Sequence, residues 1–390
     1  MKRVPPVMRL LAVAGAASLV LTACGGSDDK DGGSPSGGEL KLAFIGAQTG
    51  PNAQLGINIS NGVELAIAQY NATNPAKKVT LAKYDTKGDP AAAPAQADTL
   101  IEAEPIGIIG PAFSGESKAV VPKFEEAKIP SISPSATSTK LAANGWKYWH
   151  RVITNDDSQG AEDAKAILTQ LKAKSVFLVD DNEEYSIGLA GKFVEAIKAG
   201  GVTPGTDKID PNANDYSSTI NKIKAAKPDV VFFAGYYAAG GKLLKQMRDG
   251  GVTAKFFSDD GALDQGLIDA AGAKQAEGAI ISCACQSVNP TADNPAVGKF
   301  ITDYKAKFNA DQGTYSAEGF DVANIYLEGI KAGNDTPEKL NEYLKTVNVK
   351  GISKPIKFTE TGEIEDKSIF YFLVKSGKLE FVGAADKIAS

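Results

Sequence analysis

The chain has 390 residues and a net charge of −5, with 23% charged residues and 43% hydrophobic ones. That balance, with no basic cluster interleaved with aromatics, excludes nucleic acid as the main partner. Beyond one apolar run near the start, no stretch is long and uncharged enough to cross a bilayer.

Lys2, Arg3 and Arg9 precede an apolar segment, 10–21, that is too short to span a bilayer as a permanent helix. Leu21-Thr22-Ala23-Cys24 then sets small residues ahead of a cysteine. This order resembles the bacterial lipoprotein signal. The resemblance implies removal of residues 1–23 and a lipid on Cys24 that anchors the chain to the cell membrane, outside the cytoplasm. An ordinary secretory signal that happens to contain a cysteine is the alternative. Residues 24–39 are rich in Gly, Ser, Asp and Pro and nearly free of apolar side chains, so they read as a flexible tether. The body from Glu39 to Ser390 is long for one average domain and comfortable for two.

The body alternates strand and helix. Leu40-Lys41-Leu42-Ala43-Phe44-Ile45-Gly46 is a short apolar strand, after which Val63, Ile67 and Tyr70 recur at helical spacing. Residues 79–84 alternate as a strand, 90–101 read as a helix, 106–109 as a buried strand, 117–126 as a helix and 129–133 as a strand. A second series follows: helix 161–171, strand 175–179, helix 187–199 closed by Gly200-Gly201, strand 229–234, helix 241–248 and strand 255–258. After Cys285 the chain turns helical over 296–308, 317–331 and 337–344, and it ends in a β-hairpin over 369–382. Two βα series of similar size predict an α/β protein with two doubly wound lobes, whose ligands bind at the carboxyl ends of the strands.

Enzyme signatures are missing: there is no G-x-S-x-G, no H-E-x-x-H and no Walker loop, and 46–56 does not fit G-x-G-x-x-G. His150, the one histidine, sits among Trp146, Tyr148, Trp149 and Arg151 and reads as a structural residue on a strand entering the core. Serine nucleophiles then lack the usual base, and the chain is expected not to be an enzyme. Two cysteines and one histidine do not make a four-ligand zinc site, so no metal and no cofactor are expected. If Cys24 is lipidated, Cys283 and Cys285 can pair within the chain only with each other, across one residue, or stay as two thiols.

Three hydroxyl-rich loops follow apolar strands directly: Ala47-Gln48-Thr49-Gly50-Pro51, Ala112-Phe113-Ser114-Gly115-Glu116-Ser117 and Ser135-Ala136-Thr137-Ser138-Thr139. Hydroxyls at a helix start, together with the free N–H groups of its first turn, make an anion pocket without a basic side chain. Plain N-capping explains any one of them, whereas three at consecutive strand ends favour a carboxylate site. The second series offers Tyr185, Tyr236, Tyr237 and Asp259-Asp260-Gly261 at its strand ends. Aromatic rings with an acid can grip an apolar group and an ammonium; otherwise these are core tyrosines and a turn.

With these residues in order, the chain resembles the substrate-binding proteins of branched-chain amino acid ABC transporters, the leucine/isoleucine/valine-binding family. The marks are Ile45-Gly46-Ala47-Gln48-Thr49-Gly50-Pro51, Tyr84-Asp85-Thr86, the 110–137 segment, Arg151-Val152-Ile153-Thr154-Asn155-Asp156-Asp157-Ser158-Gln159-Gly160, and Gly235-Tyr236. The resemblance implies a periplasmic binding protein type 1 fold, two Rossmann-like lobes joined by a three-stranded hinge near Asn155, Cys285 and Thr359. The lobes would be 40–155 plus 286–358 and 156–285 plus 359–390. It implies carboxylate binding by Ser114, Ser135, Ala136 and Thr137, an ammonium-binding acid at Asp260, and an aromatic wall of Tyr185, Tyr236 and Tyr315. It also implies an amino acid ligand, delivery to a membrane permease powered by a cytoplasmic ATPase, and a monomer. A sensor role, or a ligand such as a short amide or urea, is the alternative on the same fold. The chain departs from the family at Leu55, where an aromatic residue is common, and at Asp260, in place of a longer glutamate. The first-lobe disulfide is missing, with Phe113 and Asp85 to Asp89 in its neighbourhood, and Cys283-Ala284-Cys285 is extra.

Overall fold

The computed structural model describes residues 38–285 and 295–388. Cys24, the apolar run before it and all but the last two residues of the expected tether lie outside the described residues. The first sheet holds β1 (Leu40–Gly46), β2 (Val79–Asp85), β3 (Gly107–Ile109), β4 (Ser131–Ser133) and β5 (Trp149–Arg151). Its order is β2-β1-β3-β4-β5 and every pairing is parallel. The connections are α1 (Ala53–Ala72), α2 (Ala93–Glu102), α3 (Ser114–Ala127) and the single turn α4 (Thr139–Ala142).

The second series runs α5 (Asp156–Thr169), β6 (Val176–Asp180), α6 (Glu184–Ala199), β7 (Gly205–Lys208), α7 (Ser217–Ala226), β8 (Val230–Ala234), α8 (Tyr237–Asp249) and β9 (Lys255–Ser258). It closes with α9 (Gln265–Ala271), α10 (Ala273–Ala276) and β10 (Ile280–Cys283). Then come α11 (Pro295–Phe308), α12 (Ser316–Lys331), α13 (Pro337–Leu344), a small hairpin of β11 (Asn348–Lys350) and β12 (Pro355–Lys357), and the final hairpin of β13 (Phe370–Lys375) and β14 (Lys378–Gly383). The second sheet has the order β14-β13-β10-β9-β8-β6-β7, parallel except that β13 runs against β10 and β14 against β13. β6 and β8 are buried along their whole length, which is why both read as continuous apolar runs.

The helices after β10 return to the first sheet. α12 lies so close on α1 that a Cβ on Gly62 would sit 2.1 Å from the Ser316 carbonyl oxygen, and one on Gly319 would sit 2.5 Å from that of Ile59. The Tyr326 hydroxyl donates to the Pro130 carbonyl at 2.8 Å, tying α12 to the strands beneath it. The chain therefore passes between the sheets after β5, after β10 and after β12. The third passage is clamped to β5. The Arg151 amide donates to Gly362 O at 2.9 Å, and the buried Arg151 guanidinium holds both carboxylate oxygens of Glu363. Gly362 has φ +74°, and a Cβ there would meet Trp149 O at 2.1 Å, so no other residue fits this contact.

Helices begin earlier than their apolar periodicity suggests. α3, α5, α6 and α8 start at Ser114, Asp156, Glu184 and Tyr237, three to five residues before the first apolar repeat. Their first turns carry polar or aromatic residues that face the gap between the sheets, so hydrophobic spacing does not register them. β7, α7, α9, α10, β10 and the β11–β12 hairpin have no counterpart in the sequence reading. They are short or weakly amphipathic pieces placed by tertiary pairing.

Gly62→Ala is expected to cost about 1–3 kcal/mol of stability by forcing α1 and α12 apart. Gly191→Ala, on α6 where a Cβ would meet nothing within 4 Å, is expected to be neutral or stabilising by up to about 1 kcal/mol. Thermal unfolding compares the two; a Gly62 variant that melts with the wild type would contradict the close α1–α12 contact.

Candidate functional site

The loops at the ends of β3 and β4 are laced to each other by serines. Ser133 Oγ donates to Pro111 O at 2.7 Å and accepts from the Ala136 amide at 2.9 Å. Ser135 Oγ donates to Ala112 O at 2.5 Å, and Ser114 Oγ accepts from the Ser138 amide at 3.2 Å. Arg151 Nη1 donates to Ala136 O at 2.9 Å and Ser138 O at 3.0 Å, so one guanidinium brackets Thr137 from both sides. The three hydroxyls are therefore unequal. Ser135 has committed its proton, Ser114 still has its own to give, and Thr137 Oγ1 is buried with no hydrogen-bond partner.

Glu116, one turn into α3, accepts from the Phe113 amide at 2.9 Å and from the Thr86 hydroxyl. Burial lifts its carboxyl to about 7, and the Thr86 hydroxyl and the backbone donors work against that rise. The contact fixes Phe113, whose ring faces Tyr236 across the gap with 4.7 Å between centroids.

On the opposite side, Tyr185 is the second residue of α6, Tyr236 caps the start of α8, and Asp260 follows β9 in a short 3-10 turn. The Tyr185 hydroxyl donates to Asp260 Oδ1 at 2.5 Å, and the Tyr315 hydroxyl donates to Oδ2. Tyr315 stands in the left-handed region, φ 67°, immediately before α12. A side chain from the helices on the first sheet thus ends on an acid of the second. A Cβ on Gly261 would come within 2.8 Å of both Gly235 O and Tyr185 Cε1, so a glycine is needed for these loops to meet.

Asp260 is buried beside Asp259. Burial pushes both carboxyls up, and the charge of Asp260 pushes Asp259 further, well above the usual range. The Tyr185 and Tyr315 hydroxyls both work against the rise at Asp260, which is pushed up less far than Asp259. Deeper in, Ser282 Oγ donates to Asp163 Oδ2 at 2.9 Å and accepts from Gln159 Nε2 at 3.1 Å, and burial holds Asp163 well above the carboxylate range. Asp156 is raised by burial to about 7, a rise opposed by the Thr137 hydroxyl and Arg151. The Thr137 hydroxyl is near enough to act on that carboxyl but does not meet it in standard hydrogen-bond geometry.

The strand-end loops of the two sheets leave a small cavity between them. Leu55, Ser114, Ser135, Tyr185, Tyr236, Asp260 and Tyr315, all singled out in the sequence, line it together. Phe113 and Gly261 line it as well; both lay inside quoted segments, yet nothing in the sequence marked their roles. Ala136 and Thr137 are buried in the same loop but do not line the cavity. No lysine, arginine or histidine is among the residues that line it. The two sides also touch directly: Lys118 and Lys140 reach Glu184 at 2.9 and 3.6 Å, and the Gln54 amide donates to the Tyr237 hydroxyl at 3.3 Å. His150 is buried far from these groups, with burial pulling it down to about 3. Cys283 and Cys285 are joined as a disulfide in the described structure.

Residues 39–378 match the family described as periplasmic binding protein. The chain belongs to this family. A Leu/Ile/Val/Thr-binding protein of Salmonella typhimurium is 30% identical over 84% of this chain and 89% of its own. A leucine-binding protein from Thermotoga maritima superimposes with a TM-score of 0.81 at 28% identity, covering 88% of this chain and 97% of the other. The branched-chain amino acid transporter substrate-binding protein of Streptococcus pneumoniae, solved with isoleucine, gives 0.82 at 25% identity over 89% and 100%. The family is one of extracytoplasmic solute-binding proteins and not of enzymes, and its type 1 fold is the one described above. Among the described residues, no helix is long and apolar enough to cross a membrane.

Asp156→Asn tests the buried acids through pH. A carboxyl near 7 in the fold and near ~4 in the unfolded chain binds its proton more tightly when folded. Its contribution is complete below the unfolded value and is lost as pH rises toward 7. Between pH ~5 and ~8 the wild-type melting temperature is expected to fall more steeply than that of the variant. Parallel slopes would show that Asp156 is not held protonated.

Proposed function

We propose that this protein is a lipid-anchored receptor that traps an aliphatic amino acid, of the branched-chain class, and delivers it to an ABC permease. The observation that carries the reading is the opposition of two chemistries across one small cavity. On one side is an acid, Asp260, that accepts from two tyrosine hydroxyls; on the other are neutral donors from strand-end loops. A dipolar molecule matches that arrangement end for end. Its ammonium goes to Asp260, and its carboxylate goes to Ser114, Thr137 and the N–H groups at the start of α3. The rings of Tyr185, Tyr236 and Tyr315 with Leu55 cover the aliphatic side chain. Relatives named for leucine, isoleucine and valine support the side-chain class.

The two jaws are 40–155 plus 286–358 and 156–285 plus 359–390, moving about the three passages. The ligand docks first on the hydroxyl loops, and the second jaw closes over it because the shut form makes more contacts with it. Micromolar affinity needs about 8 kcal/mol. Three or four hydrogen bonds to charged groups, at about 1.5–3 kcal/mol each, with one buried aliphatic group, supply it after ordering costs. The anchor is a lipid on Cys24, and residues 24–39 serve as the tether.

Thr137→Ala removes a hydroxyl that meets no group of the protein in standard hydrogen-bond geometry, so the melting temperature of the free protein is expected to change little. Affinity for leucine, isoleucine or valine in titration calorimetry is expected to drop by at least about tenfold. Unaltered affinity would overturn the carboxylate assignment. For the anchor, Cys24→Ala is expected to move the protein from the membrane fraction to the medium or periplasm. Retention of the variant at the membrane would rule the lipid out.

A further inference from the structure

Phe113 stands just before α3, is buried, and is fixed in place from several directions. Glu116 Oε2 accepts from the Phe113 amide at 2.9 Å, while Oε1 accepts from the Thr86 hydroxyl. Thr86 Oγ1 accepts in turn from the Gly88 amide at 3.3 Å, so one buried carboxyl ties the start of α3 to the loop after β2. That loop packs against the ring: Gly88 has φ +74°, and a Cβ on it would sit 3.1 Å from Phe113 Cε2. The ring also meets Tyr236 at 4.7 Å, and Tyr236 meets Tyr185 at 5.2 Å. Asp181 Oδ2 accepts from the Tyr236 amide at 2.9 Å and holds that side of the contact. Next to this pair lies a second, polar hollow, with Asn52, Lys87, Asp89, Glu183 and Asn212 on its walls. Tyr236 lines both hollows, and Gly88, which packs on Phe113, lines the polar one. The two rings therefore stand between the inter-sheet cavity and the polar hollow.

We propose that Phe113 is a specificity-determining residue whose ring ends the side-chain pocket, so that the site takes a short branched aliphatic amino acid and rejects an aromatic one. The inference rests on the amino acid reading given above. With the ammonium on Asp260, the hydroxyls of Tyr185 and Tyr315 are engaged with that acid. With the carboxylate on the Ser114 side, the apolar walls left for the side chain are Leu55, Phe113 and Tyr236. Phe113 fills with its own phenyl group the room that a ligand ring would need. Overfilling a packed pocket is costly when its walls are fixed, and this wall is tied by its amide and packed on by Gly88. Discrimination then comes from the clash offered to the larger ligand as well as from contacts to the smaller one. Removing the ring leaves a void of phenyl size, which a ligand ring can fill.

Titration calorimetry with L-valine and L-phenylalanine reads the ratio of the two affinities. The wild type is expected to prefer valine by at least about tenfold. Phe113→Ala is expected to shift the ratio toward phenylalanine by about tenfold or more, with phenylalanine bound more tightly than by the wild type. Phe113→Leu, which keeps the wall apolar, is expected to shift it the same way by less, and it decides the matter where the alanine variant does not fold. A role confined to stability would lower both affinities by the same factor, and that result overturns the proposal. So does an unchanged ratio, or a wild type that takes phenylalanine as well as valine; in both cases valine binding leaves the amino acid reading standing. A wild type that binds neither valine, leucine nor isoleucine overturns that reading and the proposal with it.

Discussion

A carboxyl buried without a direct ion-pair partner is the constraint around which the rest of this structure is arranged. Removing such a charge from water is costly unless it is hydrogen-bonded, and Asp260 answers with two tyrosine hydroxyls, one on each oxygen. One donor, Tyr185, comes from its own sheet, and the other, Tyr315, comes from the helices packed on the first sheet. The acid therefore draws together parts of the chain that the sheet topology keeps apart. Its neighbours Asp259, Asp163 and Asp156 are held toward their neutral forms by burial, and Asp260, raised by burial as well, is the one that two tyrosine donors steady. In the proposed complex, the ammonium of the ligand supplies the direct ion-pair partner that the protein does not.

The opposite half of the site depends on an ion pair that never touches the cavity. Arg151 is buried and divides its donors. Two nitrogens hold Glu363 on the third passage between the sheets, and the remaining one holds the carbonyls on either side of Thr137. Such a pair contributes little net stability compared with apolar packing, but breaking one partner strands a buried charge. Its value here is geometric. The shape of the hydroxyl loop and the path of the hinge strand are set by the same guanidinium, and Gly362 is the residue that lets the strand come close enough.

Much of this was legible in the sequence, and the omissions have physical reasons. The buried strands declared themselves because both of their faces are covered, and the hydroxyl and tyrosine loops stood out by following those strands directly. Helix starts were read late because the first turns of α3, α5, α6 and α8 carry site and capping residues in place of apolar ones. The order of lacing among Ser114, Ser135 and Thr137 depends on which loop faces which, and no spacing within one loop encodes it. Phe113 was visible as a member of a hydroxyl-rich loop and a neighbour of a missing disulfide, whereas its packing on Tyr236 needs the second sheet to be in place. The role of Arg151 was hidden for the same reason, since Glu363 lies 212 positions further along the chain.

The orientation of a bound amino acid tests the arrangement most directly. In a crystal structure with isoleucine or valine, the ligand nitrogen is expected within about 3 Å of an Asp260 carboxylate oxygen, with its carboxylate on the Ser114 and Thr137 side. A ligand seated the other way round, or one whose nitrogen finds its partners elsewhere while Asp260 keeps only its two tyrosines, would contradict the central role given to that buried charge.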